Sequence, residues 1–361
     1  MNRYLLIIYI ASAFSTTFLI LPVLIKLLSE WQIFDSPGKH KIHSQYTPSM
    51  GGVCILLGAV FAQLIGFHLA DWVQLRYFYI SIAMMFITGL RDDILTLTPR
   101  QKLIGQILPI IILVVFGETT ISSFYGIGYY GVVFSDVVAW VVTIFTIVIL
   151  TNAYNLIDGL DGLAGTVGLV SLTCFGVWFF LAGELTLALI SLSFAGSLAA
   201  FLFFNWEPSR IFMGDTGALV VGLLLSFLTI RFININYSLP NGSWIRFESS
   251  VGTAIFIMII PIFDTLRVIL LRLRKMHSPF KADRNHLHHQ FLKLGFSHSK
   301  TVLIIAGLHV FFALLALVLK NSPDTVILPA AIIGCVIVNQ AIKVAQKRHE
   351  RNGRKSLITE K

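Results

Sequence analysis

Apolar runs of roughly the length a lipid bilayer demands follow one another from end to end of this 361-residue chain. A helix needs roughly 17–25 mostly apolar residues to cross the ~30 Å hydrocarbon core. Backbone inside hydrocarbon must satisfy its own hydrogen bonds, so only helices and closed barrels can span it. The runs here are continuous rather than alternating, which excludes a barrel and predicts an all-α, polytopic integral membrane protein. Spans are expected near 4–28, 50–70, 75–90, 102–117, 132–151, 162–182, 185–204, 216–232, 250–271, 301–319 and 323–343, eleven in all. Composition agrees, with 56% hydrophobic and 12% charged residues against about 25% charged in soluble domains. Arg3 precedes the first run, but no small-residue cleavage pattern follows it, so it reads as a helix and not a signal peptide.

Eleven spans divide the connecting segments between two sides. Residues 26–49, 91–102, 152–161, 205–215, 267–300 and 343–361 fall together and hold 22 of the 27 Lys and Arg. Arg3, Arg76, Arg231, Arg246 and Lys320 fall on the other side. The positive-inside rule then puts the amino terminus outside and the carboxyl terminus in the cytoplasm. The net charge of +9 reads as an orientation signal and as attraction to anionic lipid, not to nucleic acid. Cys54, Cys174 and Cys335 fall inside spans without metal or redox spacing and read as packing residues. No internal repeat is visible, which weighs against inverted-repeat transporters. A single transmembrane domain over 1–343 is expected, followed by a frayed basic tail over 344–361.

The polar residues gather at span ends on the predicted cytoplasmic face. Asp92 and Asp93 follow Gly89-Leu90-Arg91, with Lys102 opening the next helix. They suit a divalent cation beside an anionic substrate, although solvated interface acids would look the same. In the run Asn152-Ala-Tyr-Asn155-Leu-Ile-Asp158-Gly-Leu-Asp161, the two acids are three apart and would share a helical face. No Lys or Arg in that run offsets them, which is costly at a bundle rim unless a cation or ligand is near. Asn205 ends one helix and Met213-Gly214-Asp215 begins another, where Asp215 would cap the amino terminus beside free N–H groups that suit phosphate. Asp264 lies inside a span three residues before Arg267, and an intrahelical ion pair explains it as well as a functional role does. The loop carrying Arg284, His286, His288 and His289 lacks zincin spacing and suits a pyrophosphate better than zinc.

Four of these motifs, in this order, resemble the bacterial polyprenyl-phosphate N-acetylhexosamine-1-phosphate transferases, of the glycosyltransferase 4 type. They are Asp92-Asp93 with Arg100-Gln101-Lys102, the run from Asn152 to Leu163, Asn205 with Phe212-Met213-Gly214-Asp215-Thr216-Gly217, and Pro279-Phe280 through Asp283-Arg284 to His289. The resemblance covers Met50-Gly51-Gly52 to about His289. Translocases acting on the muramyl-pentapeptide nucleotide typically carry three consecutive histidines in the last motif and a Lys soon after the acidic pair. This chain has His286-Leu287-His288-His289, with Ile94-Leu95-Thr96-Leu97 after the pair. It therefore looks closer to the branch using UDP-N-acetylglucosamine.

The resemblance implies Mg²⁺, with Mn²⁺ as a substitute, at Asp215 and Asn155. It implies catalytic roles for Asp92, Asp93, Asp158 and Asp161. Contacts to the nucleotide sugar fall to Lys102, Asn205, Arg284, His286, His288 and His289, with Lys41 in the amino-terminal basic loop as a weaker match. The expected reaction joins N-acetylglucosamine-1-phosphate to undecaprenyl phosphate and releases UMP, at the start of cell-surface polysaccharide synthesis such as O-antigen. Another UDP-N-acetylhexosamine or the pentapeptide nucleotide is the alternative donor. A secondary transporter is the alternative of another class, disfavoured because the acids sit at span ends and not at mid-span.

Overall fold

The structure is a computed structural model whose described residues are 6–32, 34–35, 47–127, 132–276 and 285–359. The helices are α1 Leu6–Glu30, α2 Gly51–Gly66, α3 Leu69–Gln74, α4 Arg76–Leu95, α5 Pro99–Ile111, α6 Asp136–Leu156, α7 Leu163–Ala182, α8 Leu185–Asn205 and α9 Gly214–Ser238. They continue as α10 Ser250–Ile257, α11 Ile259–Arg274, α12 Leu287–Leu292, α13 His298–Val318 and α14 Asp324–Thr359. A five-residue π-helical stretch, Ile112–Phe116, prolongs α5. Two short strands, Phe34–Asp35 and Thr47–Pro48, pair antiparallel. Helix α9 is the axis of the bundle, with 83% of its apolar window buried against 17% for α14 at the periphery.

Among the described residues, eight helices are long and apolar enough to cross a bilayer, or nine if the bent pair α10–α11 counts as one span. The expected eleven included two segments that fall short. Helix α2 stops after 16 residues, roughly 24 Å at 1.5 Å per residue. The chain turns there because His68 starts α3, its N–H donating to Asp71 Oδ2 at 2.9 Å. Helix α4 spans 20 residues but carries Arg76, Arg91, Asp92 and Asp93 near its ends, which lowers its apolarity. Two other boundaries also moved. Helix α6 runs on to Leu156 instead of stopping at 151, and α14 carries the supposed frayed tail as helix to Thr359. The tail's Lys, Arg, Gln and Glu are good helix formers.

The span expected over 250–271 is broken, with α10 and α11 meeting at 83°. Pro261 explains the position of the break. It has no N–H to give the Ile257 carbonyl, and a first-turn position in a new helix is where proline is tolerated. The freed carbonyl is taken by Ser171 Oγ at 2.9 Å and His309 Nε2 at 2.7 Å. The bend carries α11, with Asp264, across the bundle toward α12.

Two contacts fix the start of α9 against its neighbours. The first N–H groups of α2 donate to the Phe212 and Met213 carbonyls, Gly51 at 2.9 Å and Gly52 at 3.0 Å. A Cβ on Gly52 would lie 2.1 Å from the Gly217 nitrogen, so α2 and α9 cross backbone to backbone.

Candidate active site

Lys102, near the start of α5, reaches across to three helices. Its ammonium lies 3.1 Å from Asp92 Oδ2 on α4, pairs with Asp215 Oδ1 on α9, and donates to Asn155 Oδ1 on α6 at 3.2 Å. Asn155 Nδ2 also donates to Asp215 Oδ1 at 2.6 Å. Three oxygens from two carboxylates and an amide thus converge on one cation position, held here by the ammonium. The Lys102 and Asp215 side chains keep 17% and 30% of their exposure, so this point is open to a ligand. The other Asp92 oxygen accepts the Leu97 N–H at 2.6 Å, closing the turn after α4.

Asp93 has a different task from its neighbour. Its Oδ1 accepts the Asp215 N–H at 2.8 Å, and its Oδ2 accepts the Thr216 N–H at 3.0 Å together with the Thr216 hydroxyl. A residue on α4 therefore caps α9, a role the sequence had assigned to Asp215. Capping satisfies N–H groups that a helix start leaves unpaired and frees the Asp215 carboxylate for Lys102 and Asn155. Gly214, at φ +71°, is required there: a Cβ would lie 2.6 Å from Asp93 Oδ2 and from Ser49 Oγ.

The loop between α6 and α7 is pinned from both sides. Tyr154 donates to the Ala164 carbonyl at 2.7 Å. Asn205 accepts the Gly162 N–H and donates to the Ile211 carbonyl, both at 2.9 Å. Buried Asn205 thus ties the α6–α7 loop to the α8–α9 loop. Asp161 Oδ2 accepts the Ser209 N–H at 3.3 Å between the same loops. Asp158 is half-buried, and its carboxyl has no hydrogen-bond partner among the described residues. Burial pushes its pKa up to about 8, with the nearby Asp215 and Asp93 carboxylates adding to the rise.

Helix α12 brings the histidines to this loop. Asp264 on α11 accepts the Leu287 N–H at 2.6 Å and contacts His286 Nδ1 at 2.9 Å. Arg267 lies 3.6 Å from Asp264 and donates to the Asn285 carbonyl. The intrahelical pair with Arg267 thus exists, but Asp264 chiefly caps α12 and orients His286. The rings follow in series, His286 stacked on His288 at 5.9 Å and His288 tilted by 46° against His289 at 4.3 Å between centroids. His288 Nε2 faces the α6–α7 loop, 3.1 Å from where a Gly159 Cβ would sit. Burial, with help from His289, pushes His288 down to about 3, so it is a neutral imidazole at physiological pH.

The structure thus brings Asp92, Asp93, Lys102, Asn155, Asp158 and Asp215 together, with His286, His288 and His289 across the loop. Asn152 turns away and pairs with buried Gln106. Lys41 and Arg284 lie outside the described residues. Ser49, Thr216, Gln106 and the capping role of Asp264 escaped the sequence reading, because each acts through a partner far away in the chain. Only the DTG sequence at Asp215 hinted at Thr216.

Comparison with known proteins gives the family. The family model described as glycosyl transferase family 4 matches residues 75–233, which include Lys102, Asn155 and Asp215. A Mycolicibacterium smegmatis protein named "Decaprenyl-phosphate N-acetylglucosaminephosphotransferase" is 30% identical, covering 84% of this chain and 80% of its own length. A Bacillus subtilis protein named "Probable undecaprenyl-phosphate N-acetylglucosaminyl 1-phosphate transferase" is 29% identical over 85% of this chain and 83% of its own. An Escherichia coli protein named "Undecaprenyl-phosphate alpha-N-acetylglucosaminyl 1-phosphate transferase" is 26% identical, with 89% and 87% covered. Nothing among these relatives supports the transport alternative. With the family model matched over 75–233 and a relative 30% identical over 84% of this chain, the protein belongs to glycosyl transferase family 4 and is a polyprenyl-phosphate sugar-phosphate transferase.

Proposed function

We infer that the protein transfers N-acetylglucosamine-1-phosphate from UDP-N-acetylglucosamine to undecaprenyl phosphate and releases UMP. One observation carries the reading: Asp92, Asp215 and Asn155 gather a single cation position beside a loop faced by neutral His288. Both substrates are anions, and stabilising charge on the transferred phosphoryl is the main demand of such chemistry. Lys102 supplies one positive charge. Asp158, protonated in the main below pH 8, donates a hydrogen bond to a phosphate oxygen where an ionised carboxylate would repel it. His288 stays neutral, and so contacts the pyrophosphate without a proton of variable charge.

The donor set also suits a hard divalent ion. No group of three or more His, Cys, Asp or Glu ligands occurs among the described residues, so the protein would offer few ligands. Mg²⁺ accepts that, because it keeps several waters and uses one or two carboxylates plus substrate phosphates. Asp215 and Asn155 would hold it in place of the Lys102 ammonium, and it would neutralise charge on the phosphoryl oxygens. Asp92 positions Lys102 and the α4–α5 turn, one oxygen on the ammonium and the other on the Leu97 N–H. The lipid phosphate needs no base, its second pKa lying near ~6.

The test is label transfer from UDP-N-acetyl[¹⁴C]glucosamine to solvent-extractable lipid by purified protein with undecaprenyl phosphate, with UMP measured in parallel. Absence of labelled lipid and of UMP refutes the reading. A faster reaction with another UDP-N-acetylhexosamine changes the sugar but not the class. Asp215→Asn should abolish transfer and remove the Mg²⁺-induced shift in thermal unfolding. The reaction belongs at the cytoplasmic face of the bacterial inner membrane, on the charge asymmetry of the loops. A Met276→Cys variant should accordingly resist membrane-impermeant thiol reagents in intact cells, and labelling there would invert the orientation.

A further inference from the structure

The end of the bundle away from Lys102 and Asp215 contains a second recess. A cavity of about 730 Å³ opens between α3, the start of α4, the end of the π-helical stretch and α9, a volume typical of ligand sites. Val73, Arg76, Phe116, Glu118, Phe227 and Arg231 are among its lining residues. Arg231 follows Asp215 by sixteen positions on the same helix, roughly 24 Å along its axis, so the two sites are separate.

Arg231 is the unusual group here. It sits half-buried near one end of the central helix, and its Nε is fully buried with no hydrogen-bond partner among the described residues. Glu184 acts on it through space, with no ion pair between them. A buried guanidinium donor left unsatisfied is costly, and a charge near a membrane-facing bundle end marks a functional position. Arg76 adds a second cation. It gives one N–H to the Val73 carbonyl at 3.2 Å and lies 4.7 Å over the Tyr77 ring, keeping further donors. Against these two charges the lining sets one acid, exposed Glu118.

The mouth of the cavity is apolar and exposed: Leu69, Val73 and Phe116 retain 80%, 52% and 57% of their exposure. They continue the surface that lipid would cover. A soluble anion would find the guanidinium but leave this apolar wall wet. A molecule with a phosphate head and aliphatic chains satisfies both halves.

We propose that this cavity seats the head group of an anionic glycerophospholipid from the leaflet opposite the active site. Arg231 and Arg76 hold the phosphodiester, and the acyl chains leave over Leu69, Val73 and Phe116. The inference is independent of the reaction proposed for the other end.

The experiment is native mass spectrometry of the full-length protein in mild detergent, titrated with phosphatidylglycerol, phosphatidylcholine or inorganic phosphate. Wild type should retain one phosphatidylglycerol about tenfold or more tighter than phosphatidylcholine, the range of a charge-assisted phosphate contact. Millimolar inorganic phosphate should not displace it. Arg231→Gln should lose that one lipid. Val73→Trp, which fills the mouth and leaves both arginines intact, should lose it too while keeping transferase activity. The Val73→Trp result stands by itself should Arg231→Gln fail to fold. Retention of the lipid by both variants, equal binding of phosphatidylcholine, or displacement by free phosphate would overturn the proposal.

Discussion

Replacing Asp264 by Asn tests whether the histidines owe their position to a buried carboxylate on another helix. Asp264 is 1% exposed and Arg267 9%, so their contact is shielded from solvent. Asn keeps one oxygen for the Leu287 N–H. It offers an amide where His286 Nδ1 had a carboxylate at 2.9 Å, and it removes the carboxylate charge that lies 3.6 Å from the Arg267 guanidinium. Removing one partner of a buried pair costs about 3–5 kcal/mol. The loss falls on the docking of α12, which has six residues, and not on the bundle as a whole. At 1.4 kcal/mol per tenfold, about 3 kcal/mol lowers the docked population up to roughly a hundredfold.

The assay is lipid labelling with each substrate varied in turn. A drop in kcat/KM for the nucleotide sugar of roughly a hundredfold is expected, with KM for the lipid phosphate little changed and the thermal transition of the bundle kept. Asp264→Asn combined with Arg267→Gln should recover part of the loss, because the two side chains share one buried contact and their effects are not additive. Activity within threefold of wild type, or a loss matched by collapse of the thermal transition, refutes the reasoning.

Three further substitutions probe other joints of the site. Gly52→Ala puts a Cβ 2.1 Å from the Gly217 nitrogen, where contact needs ~3.5 Å; α9 must shift by about an ångström, and transfer should fall by ~10²-fold with a lower melting temperature, whereas unchanged values would mean that the helices do not cross so closely. His288, pushed down to about 3 in the fold against 6.5 unfolded, contributes stability that is intact above pH 6.5 and declines by up to ~1.4 kcal/mol per pH unit below it. Melting temperatures between pH 7 and 5 should therefore drop more for wild type than for His288→Gln, and equal drops would contradict a buried neutral ring. For Asp158, pushed up to about 8, kcat/KM should fall as pH rises through 8 and the donor ionises; Asp158→Asn, which keeps an N–H but cannot titrate, should lack that limb, and its persistence would assign the limb to another group.

Run length and polarity made the bundle legible in the sequence, and the one-sidedness of the acids made the site legible. Features that depend on a distant partner were not. The break at Met258 hides inside an apolar stretch, because Pro261 in the first turn of a new helix reads like Pro261 in a bent continuous one. Helix α6 runs past the expected end at 151 although Asn152 and Asn155 are poor helix formers. In the fold their side chains are satisfied by the Val148 carbonyl and Gln106 for Asn152, and by Asp215 and Lys102 for Asn155. Tertiary hydrogen bonds there override local preference. The cap of α9 was assigned to Asp215 on adjacency alone, while Asp93, more than a hundred residues earlier, performs it.

The acids at this face therefore do two kinds of work, and sequence clustering merges them. Asp92, Asp93, Asp161 and Asp264 each accept a backbone N–H, from Leu97, from Asp215 and Thr216, from Ser209 and from Leu287. For Asp93 and Asp264 the N–H groups open a helix, where a negative charge is also favoured by the helix dipole. Those acids fix where chain segments begin and end. Asp215 and Asp158 make no such bond: one carboxylate meets Lys102 and Asn155, and the other is left half-buried beside it. The two kinds are mechanically linked, since Asp93 holds the backbone of the residue whose side chain closes the cation position. Helix capping thus sets the place of the Asp215 carboxylate, so that Asp93 governs the geometry of the cation position without contributing an oxygen to it.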